Sequence, residues 1–100
     1  MPNWSFLTNH ARVLLAVAGD PDLRLREIAD AVGISERRVH GIVTDLTISG
    51  YLTRERKGRR NRYAIHTQRP LGQDIGDSVT VSDLLALARQ ARRRAGDDAS

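Results

Sequence analysis

The most concentrated chemistry in the chain is a run of cationic side chains between residues 54 and 62. Six of these nine residues are arginine or lysine, and one is glutamate. Guanidinium groups offer fixed forks of N–H donors that match phosphate oxygens and the acceptor edge of guanine. A solvated hairpin is the plainer interpretation, but so dense a run of like charges repels itself without a partner. The run therefore favours a polyanionic partner.

A second set of polar side chains lies on one face of a predicted helix over residues 36–49. Its apolar residues recur at i, i+3, i+4 and i+7, which predicts one buried stripe made by Val39, Ile42, Val43 and Leu46. The opposite face then carries Arg37, Arg38, His40, Gly41, Thr44 and Asp45. Arginine is the commonest reader of guanine, so we expect a base contact from Arg37 or Arg38, with phosphate contact or plain solvation as the alternative. His40 is either a base or phosphate contact or an exposed bystander.

Other chemistries find little support in the residue types and spacings. The three histidines, His10, His40 and His66, match no metal-ligand pattern, and the chain has no cysteine. There is no nucleophile elbow and no glycine-rich phosphate loop. Paired carboxylates such as Asp97 and Asp98 lie in the tail that is predicted to be disordered. We therefore predict no enzymatic activity, no metal and no cofactor.

Composition sets broad limits on the protein. One hundred residues suffice for one small core, and a sequence pI of about 10.6 with 16 basic against 12 acidic residues fits a partner rich in negative charge. The absence of cysteine excludes disulfides and fits a reducing compartment. Neither a signal peptide nor a run of about 20 apolar residues is recognisable, so we expect a cytoplasmic protein without a membrane partner.

Start and stop signals predict an α+β fold that is mostly helical. Trp4 and Phe6 are expected on the core or at a dimer contact. Thr8 or Asn9 can cap a first helix, which Gly19 ends in a left-handed conformation. The remaining predicted elements are a short strand at Leu23–Leu25, a helix at Glu27–Val32, a turn at Gly33, a helix capped by Ser35 and ended by Gly50, strands at Tyr51–Glu55 and Asn61–Ile65 around a turn at Lys57–Gly58, and a last helix after Thr80.

Four segments follow from this order. Residues 1–66 form one domain, residues 67–79 a connector, residues 80–95 a helix and residues 96–100 a disordered tail. The last helix carries more apolar surface than one small core covers, so we expect it to pack on its symmetry mate in a homodimer, with help from the first helix and Trp4. Packing on its own domain alone is the alternative. Its dimerisation residues are predicted to be Leu84, Leu85, Leu87, Ala88 and Ala91.

The order of helix, turn, helix and basic hairpin resembles the winged helix-turn-helix transcriptional regulators of the MarR and ArsR type. The carrying segments are Leu25–Ala29, Val32–Val39, Leu46, Ser49–Leu52 and Arg54–Tyr63, and Trp4–Leu14 is similar to the opening of small stand-alone bacterial members. The chain lacks the cysteines that many ArsR-type metal sensors use. It also has only one terminal helix, whereas long terminal helices build the dimer and ligand pocket of most MarR-type proteins. The sequence identifies no small-molecule effector.

The resemblance implies a homodimeric regulator of duplex DNA, with repression by promoter occlusion as the simplest mechanism. The third helix would enter the major groove and the wing would follow the backbone or the minor groove. The residues predicted to contact DNA are Ser35, Arg37, Arg38, His40, Thr44, Arg56, Lys57, Arg59, Arg60 and Arg62. Two other functions stay open from the residues alone, a protein-interaction module and an RNA-binding module.

Overall fold

The computed structural model describes residues 5–72 and 78–98, and within α4 the side chains of residues 92 and 94–98 are not considered. Its elements confirm an α+β fold that is mostly helical. The chain divides into two compact units, residues 1–65 and residues 66–100. In chain order the elements are α1 (Asn9–Gly19), α2 (Leu25–Val32), α3 (Glu36–Ile48), β1 (Leu52–Lys57), β2 (Arg60–Ile65) and α4 (Val81–Asp98).

The core of the first unit is built from the apolar stripes of its three helices and the root of its hairpin. Each helix buries residues one turn apart, as helical periodicity requires. The hairpin adds Leu52 and Tyr63, which are 2% and 4% exposed. The buried helical residues are Val13, Leu14 and Val17 of α1, Ile28, Ala29 and Val32 of α2, and Val39, Ile42, Val43 and Leu46 of α3.

Two predicted caps are present. The Thr8 hydroxyl oxygen accepts from the Ala11 amide, and the Ser35 hydroxyl oxygen accepts from the Arg38 amide, both at 3.1 Å. Each satisfies an amide that the first helical turn leaves without a partner, a contribution of about 1 kcal/mol. Gly33 has a φ of +81°, so the tight turn between α2 and α3 uses its left-handed conformation.

The exit from α1 differs from the prediction. Gly19 is the last helical residue and does not have a positive φ, and the chain leaves through extended Asp20. The Asp20 carboxylate accepts from the Asp22 amide at 3.1 Å, which makes an aspartate turn. Because that turn redirects the chain, no left-handed glycine is needed.

The predicted strand at Leu23–Leu25 was wrong. Leu25 is the first residue of α2, and the Glu27 carboxylate accepts from the Arg24 amide at 3.0 Å, so this segment caps a helix. What remains of strand pairing is one backbone bond from the Tyr63 amide to the Pro21 carbonyl, 3.1 Å long. Among the described residues the sheet therefore has two strands.

The prediction that Phe6 packs on the core was also wrong, since this side chain is 92% exposed. The Leu7 amide donates to the Ser5 hydroxyl at 3.1 Å, and this local turn leaves Phe6 on the outside. Trp4 lies outside the described residues, so its predicted role in the core or the dimer is not addressed.

The hairpin is longer than predicted and turns one residue later. Its antiparallel register pairs Leu52 with Ile65 at the root and Lys57 with Arg60 at the tip. The two loop residues are Gly58 and Arg59, and only Gly58 has a positive φ, +65°. That is the pattern of a type II′ turn, whose twist suits antiparallel strands.

The second unit contains a turn that leads into α4. Pro70 and Thr80 form an isolated bridge, and the Val81 amide donates to the Arg69 carbonyl at 2.9 Å. The Asp83 carboxylate accepts from the Thr80 amide at 2.9 Å, so α4 begins after Thr80 as predicted. It extends to Asp98 and so includes three of the residues expected in a disordered tail.

Candidate nucleic-acid interface

The solvent face of α3 has a centre and two flanks. Residues 37, 41, 44 and 48 lie one above another because they are three or four positions apart, on the side opposite the buried stripe. We call this set the outward stripe; its members are Arg37, Gly41, Thr44 and Ile48, all exposed. His40 lies on one flank, and Arg38 and Asp45 lie on the other.

Several contacts fix the position of α3. The Gly33 turn and the Ser35 cap define its start, and its four apolar residues lock its rotation on the core. Ser35 itself was predicted to contact DNA. Its oxygen already accepts from the Arg38 amide, so its established role is to begin the helix. The side chains of Arg37 and Arg38 are exposed in the first turn of α3.

A side-chain pair between α1 and α3 was missed from the sequence. His10 Nε2 lies 2.8 Å from Asp45 Oδ2, and both side chains are about half exposed or more. The two residues are 35 positions apart, so no local pattern signals the pair. The contact places a hydrogen bond between α1 and the outer side of α3, and it occupies one oxygen of an acidic group on that side.

The two faces of the wing, defined as residues 52–65, differ in their chemistry. Because side chains alternate along a strand, Arg54, Arg56 and Asn61 lie on the same face as the buried Leu52 and Tyr63. We call this the inner face. Beyond the core it lines an open cleft of about 460 Å³ formed by Arg54, Arg56, Arg59 and Asn61. Arg54 and Asn61 were absent from the predicted site, and the strand register is the signal that would have found them.

The outer face of the wing carries Lys57, Arg60 and Arg62. Lys57 stands directly opposite Arg60, a like-charge pair that does not favour the hairpin itself. Arg62 stands opposite Glu55 and also approaches Asp22, with Nε 3.8 Å from Oδ1. Arg62 therefore has two acidic neighbours, Glu55 and Asp22. On the inner face, Arg54 stands opposite Tyr63 and Arg56 stands opposite Asn61, neither of which is acidic.

A shallow cleft of about 150 Å³ joins the wing to α3. It is lined by His40, Thr44, Thr47 and Ile48 of α3, Arg54 and Tyr63 of the wing, and also by Leu25 and Val43. The wing's inner face and the outward stripe therefore border the same depression. Of the predicted DNA-binding residues of α3, His40 and Thr44 line this depression, together with the inner-face Arg54. Arg37 and Arg38 are exposed nearer the start of the helix and are not part of its lining.

Tyr63 anchors the root of the wing. Its side chain is buried and its amide donates to the Pro21 carbonyl. Burial raises the pKa of Tyr63 above its ordinary value of 10.0, and the neighbouring Arg54 charge partly offsets that rise. The phenol therefore stays neutral at ordinary pH beside the arginine cluster.

The predicted dimerisation residues of α4 fall into two groups. Leu85 is 7% exposed and belongs to the interior, while Leu84 and Ala88 are half-buried. Leu87 is 64% exposed and Ala91 is also exposed. Residues 84, 87 and 91 follow one another at i, i+3 and i+7, so an apolar edge runs along α4.

Residues 5–72 and 78–98 contain no group of three or more histidine, cysteine, aspartate or glutamate side chains that could hold a metal ion. No helix in the same part of the chain is long and apolar enough to cross a membrane.

Comparison with known proteins places the chain in a family. The crystal structure of the PcaV transcriptional regulator from Streptomyces coelicolor, in complex with its natural ligand, is similar with a TM-score of 0.52 and 20% identity, over 94% of this chain and 77% of that one. At that identity the similarity shows the fold alone. No curated protein is a significant match. The model of the MarR family matches residues 5–62, more than half of the chain. The chain therefore belongs to the MarR family of DNA-binding transcriptional regulators.

Proposed function

We propose that the protein is a sequence-specific repressor that binds duplex DNA with α3 in the major groove and the wing on the adjacent backbone or minor groove. The observation that carries the proposal is the cleft between α3 and the wing, which His40 and Thr44 line from the helix and Arg54 lines from the wing. Arg56 and Arg59 lie beside Arg54 in the neighbouring wing cleft, and Arg37 and Arg38 are exposed at the start of the same helix. A helix beside a cationic β-hairpin matches the shape and charge of a groove next to a phosphate backbone.

The two parts of this surface have different roles in the proposal. Arg37 and Arg38 read bases through paired N–H donors. Thr44 lies on the same stripe as Arg37, and His40 lies on the flank that borders the wing. The wing cations contact phosphates, which position the protein and add affinity without reading sequence. The inner-face residues Arg54, Arg56 and Arg59 contribute most, and the outer-face residues Lys57, Arg60 and Arg62 contribute less.

A homodimer completes the proposal. The apolar edge of α4 contains Leu87, which is 64% exposed, and burial of such a side chain stabilises an interface by about 25 cal/mol per Å². Two copies related by a two-fold axis would read a palindrome with half-sites about one helical turn apart. Occlusion of a promoter by the bound dimer would repress transcription.

Selection of bound duplexes from a random DNA library, followed by titration at several salt concentrations, tests the proposal. We expect one enriched palindromic sequence, tight binding to it, and an affinity that falls steeply as salt rises. Double-stranded RNA and a scrambled duplex serve as controls. Binding without sequence preference, or equal binding to RNA, would contradict a sequence-specific regulator of duplex DNA.

A further inference from the structure

Gly41 has no explanation within the fold. It lies in the interior of α3, where glycine costs about 1 kcal/mol relative to alanine, and its φ is not positive. A Cβ built at this position would meet nothing within 4 Å. Neither the backbone conformation nor the packing of the chain therefore requires a glycine. A requirement can still come from a surface that approaches α3 from outside.

The other residues towards the C-terminal end of the outward stripe are apolar where they meet solvent. The Thr44 hydroxyl donates to the His40 carbonyl at 2.9 Å, so its hydrogen is already used, and an outside group meets its methyl group or its acceptor oxygen. Ile48 is 80% exposed, although burial of an isoleucine is favourable by about 1.5–3 kcal/mol. The stripe thus changes from a guanidinium at Arg37 to an apolar surface over Gly41, Thr44 and Ile48.

The partner of this apolar surface follows from the chemistry of the major groove. The floor of that groove presents donors, acceptors and one apolar group, the 5-methyl group of thymine. We infer that Gly41, Thr44 and Ile48 form a notch that receives thymine methyl groups of the operator. The absent Gly41 side chain lets the helix backbone approach the base pairs closely. The inference rests on the proposed function and specifies it: each half-site should contain thymines beside the guanine read by Arg37 or Arg38.

Thymine-to-deoxyuridine substitution tests the notch directly, because it removes only the methyl group. Each thymine of the selected operator is replaced in turn, and the Kd of the full-length protein is measured. We expect about a fourfold loss at one or two thymines per half-site, equivalent to about 0.8 kcal/mol for one buried methyl-sized group. In the Ile48→Ala variant the loss at one of these positions should shrink or disappear.

The Gly41→Ala variant gives a second test, because it should raise the stability of the protein and weaken its binding to the operator. The added methyl group should raise Tm, because alanine favours the helix. The same methyl group should weaken operator binding about tenfold or more by holding the backbone away from the bases, and affinity for scrambled DNA should change little. Gly19→Ala is the matched control, since Gly19 is also helical and exposed. It should leave operator binding unchanged.

The possible results separate the notch from the function on which it rests. Deoxyuridine losses together with a more stable but weakly binding Gly41→Ala variant support the notch. If the wild type binds its operator with steep salt dependence, but no deoxyuridine substitution matters and Gly41→Ala binds like Gly19→Ala, the notch is wrong and the proposed function stands. If the wild type binds no duplex specifically, the proposed function is wrong and the notch fails with it.

Discussion

The solvent face of α3 and the wing both present arginines, yet the chain supports them in different ways. α3 is capped at its start, packed along its length by four buried residues and joined to α1 by the pair between His10 and Asp45. In the wing, no side chain from residue 53 to residue 62 is buried. Base reading needs donors held in fixed positions, whereas attraction of phosphates needs mainly charge.

The composition of the two surfaces follows the same division. The outward stripe of α3 mixes a guanidinium, a bare backbone, a methyl group and an isoleucine side chain, so it can distinguish one base pair from another. From residue 53 to residue 62 the wing carries cations on both of its faces, with Glu55 as its one acidic residue. We therefore expect specificity to come from α3 and salt-dependent affinity to come from the wing.

The largest loss of operator affinity should come from separating the two protomers of the proposed dimer, because their α3 helices then no longer bind DNA as a pair. Leu87→Glu places a charge on the exposed apolar edge of α4 and should convert a dimer into an 11.1 kDa monomer. Operator affinity should then fall by about 10²-fold or more, because the two half-sites no longer bind as a linked pair. Sedimentation and operator titration measure both effects. Ala86→Glu, at an exposed position of α4 away from that edge, is the control, and a wild type that sediments as a monomer would contradict the dimer.

Removal of the base-reading arginines should reduce specificity next. Arg37→Ala combined with Arg38→Ala should cost about 1–3 kcal/mol on the operator for each arginine that reads a base, with a much smaller loss on scrambled DNA. Competition titration with both duplexes gives the ratio. Circular dichroism checks that the variant is folded. An equal loss on both duplexes would make these residues phosphate contacts and would remove the contrast with the wing.

Much of this contrast was predictable from local sequence, because it depends on periodicity and caps. The spacing of Val39 to Leu46 identified the solvent face of α3, and Ser35 identified its start. The division of the wing into two faces was not predictable, because the face of Arg54 depends on a strand register that the turn at Gly58 sets. The pair between His10 and Asp45 joins distant parts of the chain. At Leu25 the alternating pattern suggested a strand, but the Glu27 cap favoured a helix.

The inner face of the wing should contribute more to DNA affinity than its outer face does. Arg54→Ala with Arg56→Ala removes two charges from the inner face, and Lys57→Ala with Arg60→Ala removes two from the outer face. The net charge changes equally, so only the position of the charges differs. The slope of log K against log salt should fall by about one per lost phosphate contact in the inner-face variant and by less in the outer-face variant. Equal slopes would mean that the wing acts only through its total charge.

Loss of the contact between α1 and α3 should have a smaller effect. His10→Ala removes the partner of Asp45 at the side of α3, and an exposed pair of this kind contributes about 0.2–1 kcal/mol. We expect a small decrease in Tm and, if α3 enters the groove as proposed, a modest loss of operator affinity, since the Asp45 carboxylate then lacks its hydrogen-bond partner from His10. Adding Asp45→Asn should restore binding. If both variants bind like the wild type, the pair does not affect how α3 meets DNA.

The smallest effect concerns the root of the wing at high pH. The pKa of Tyr63 is raised in the folded protein, mainly by burial, so above pH 10.0 the unfolded chain releases a phenol proton that the folded chain retains. The unfolded state then gains free energy relative to the folded state, and stability should fall as pH rises through this range. Below it both states are protonated and the difference vanishes. Denaturant unfolding of wild type and Tyr63→Phe, from neutral pH to above 10.0, isolates the contribution, because the phenylalanine variant keeps the ring and lacks the proton. Parallel stability curves for the two proteins would mean that burial of Tyr63 does not disfavour its ionised form.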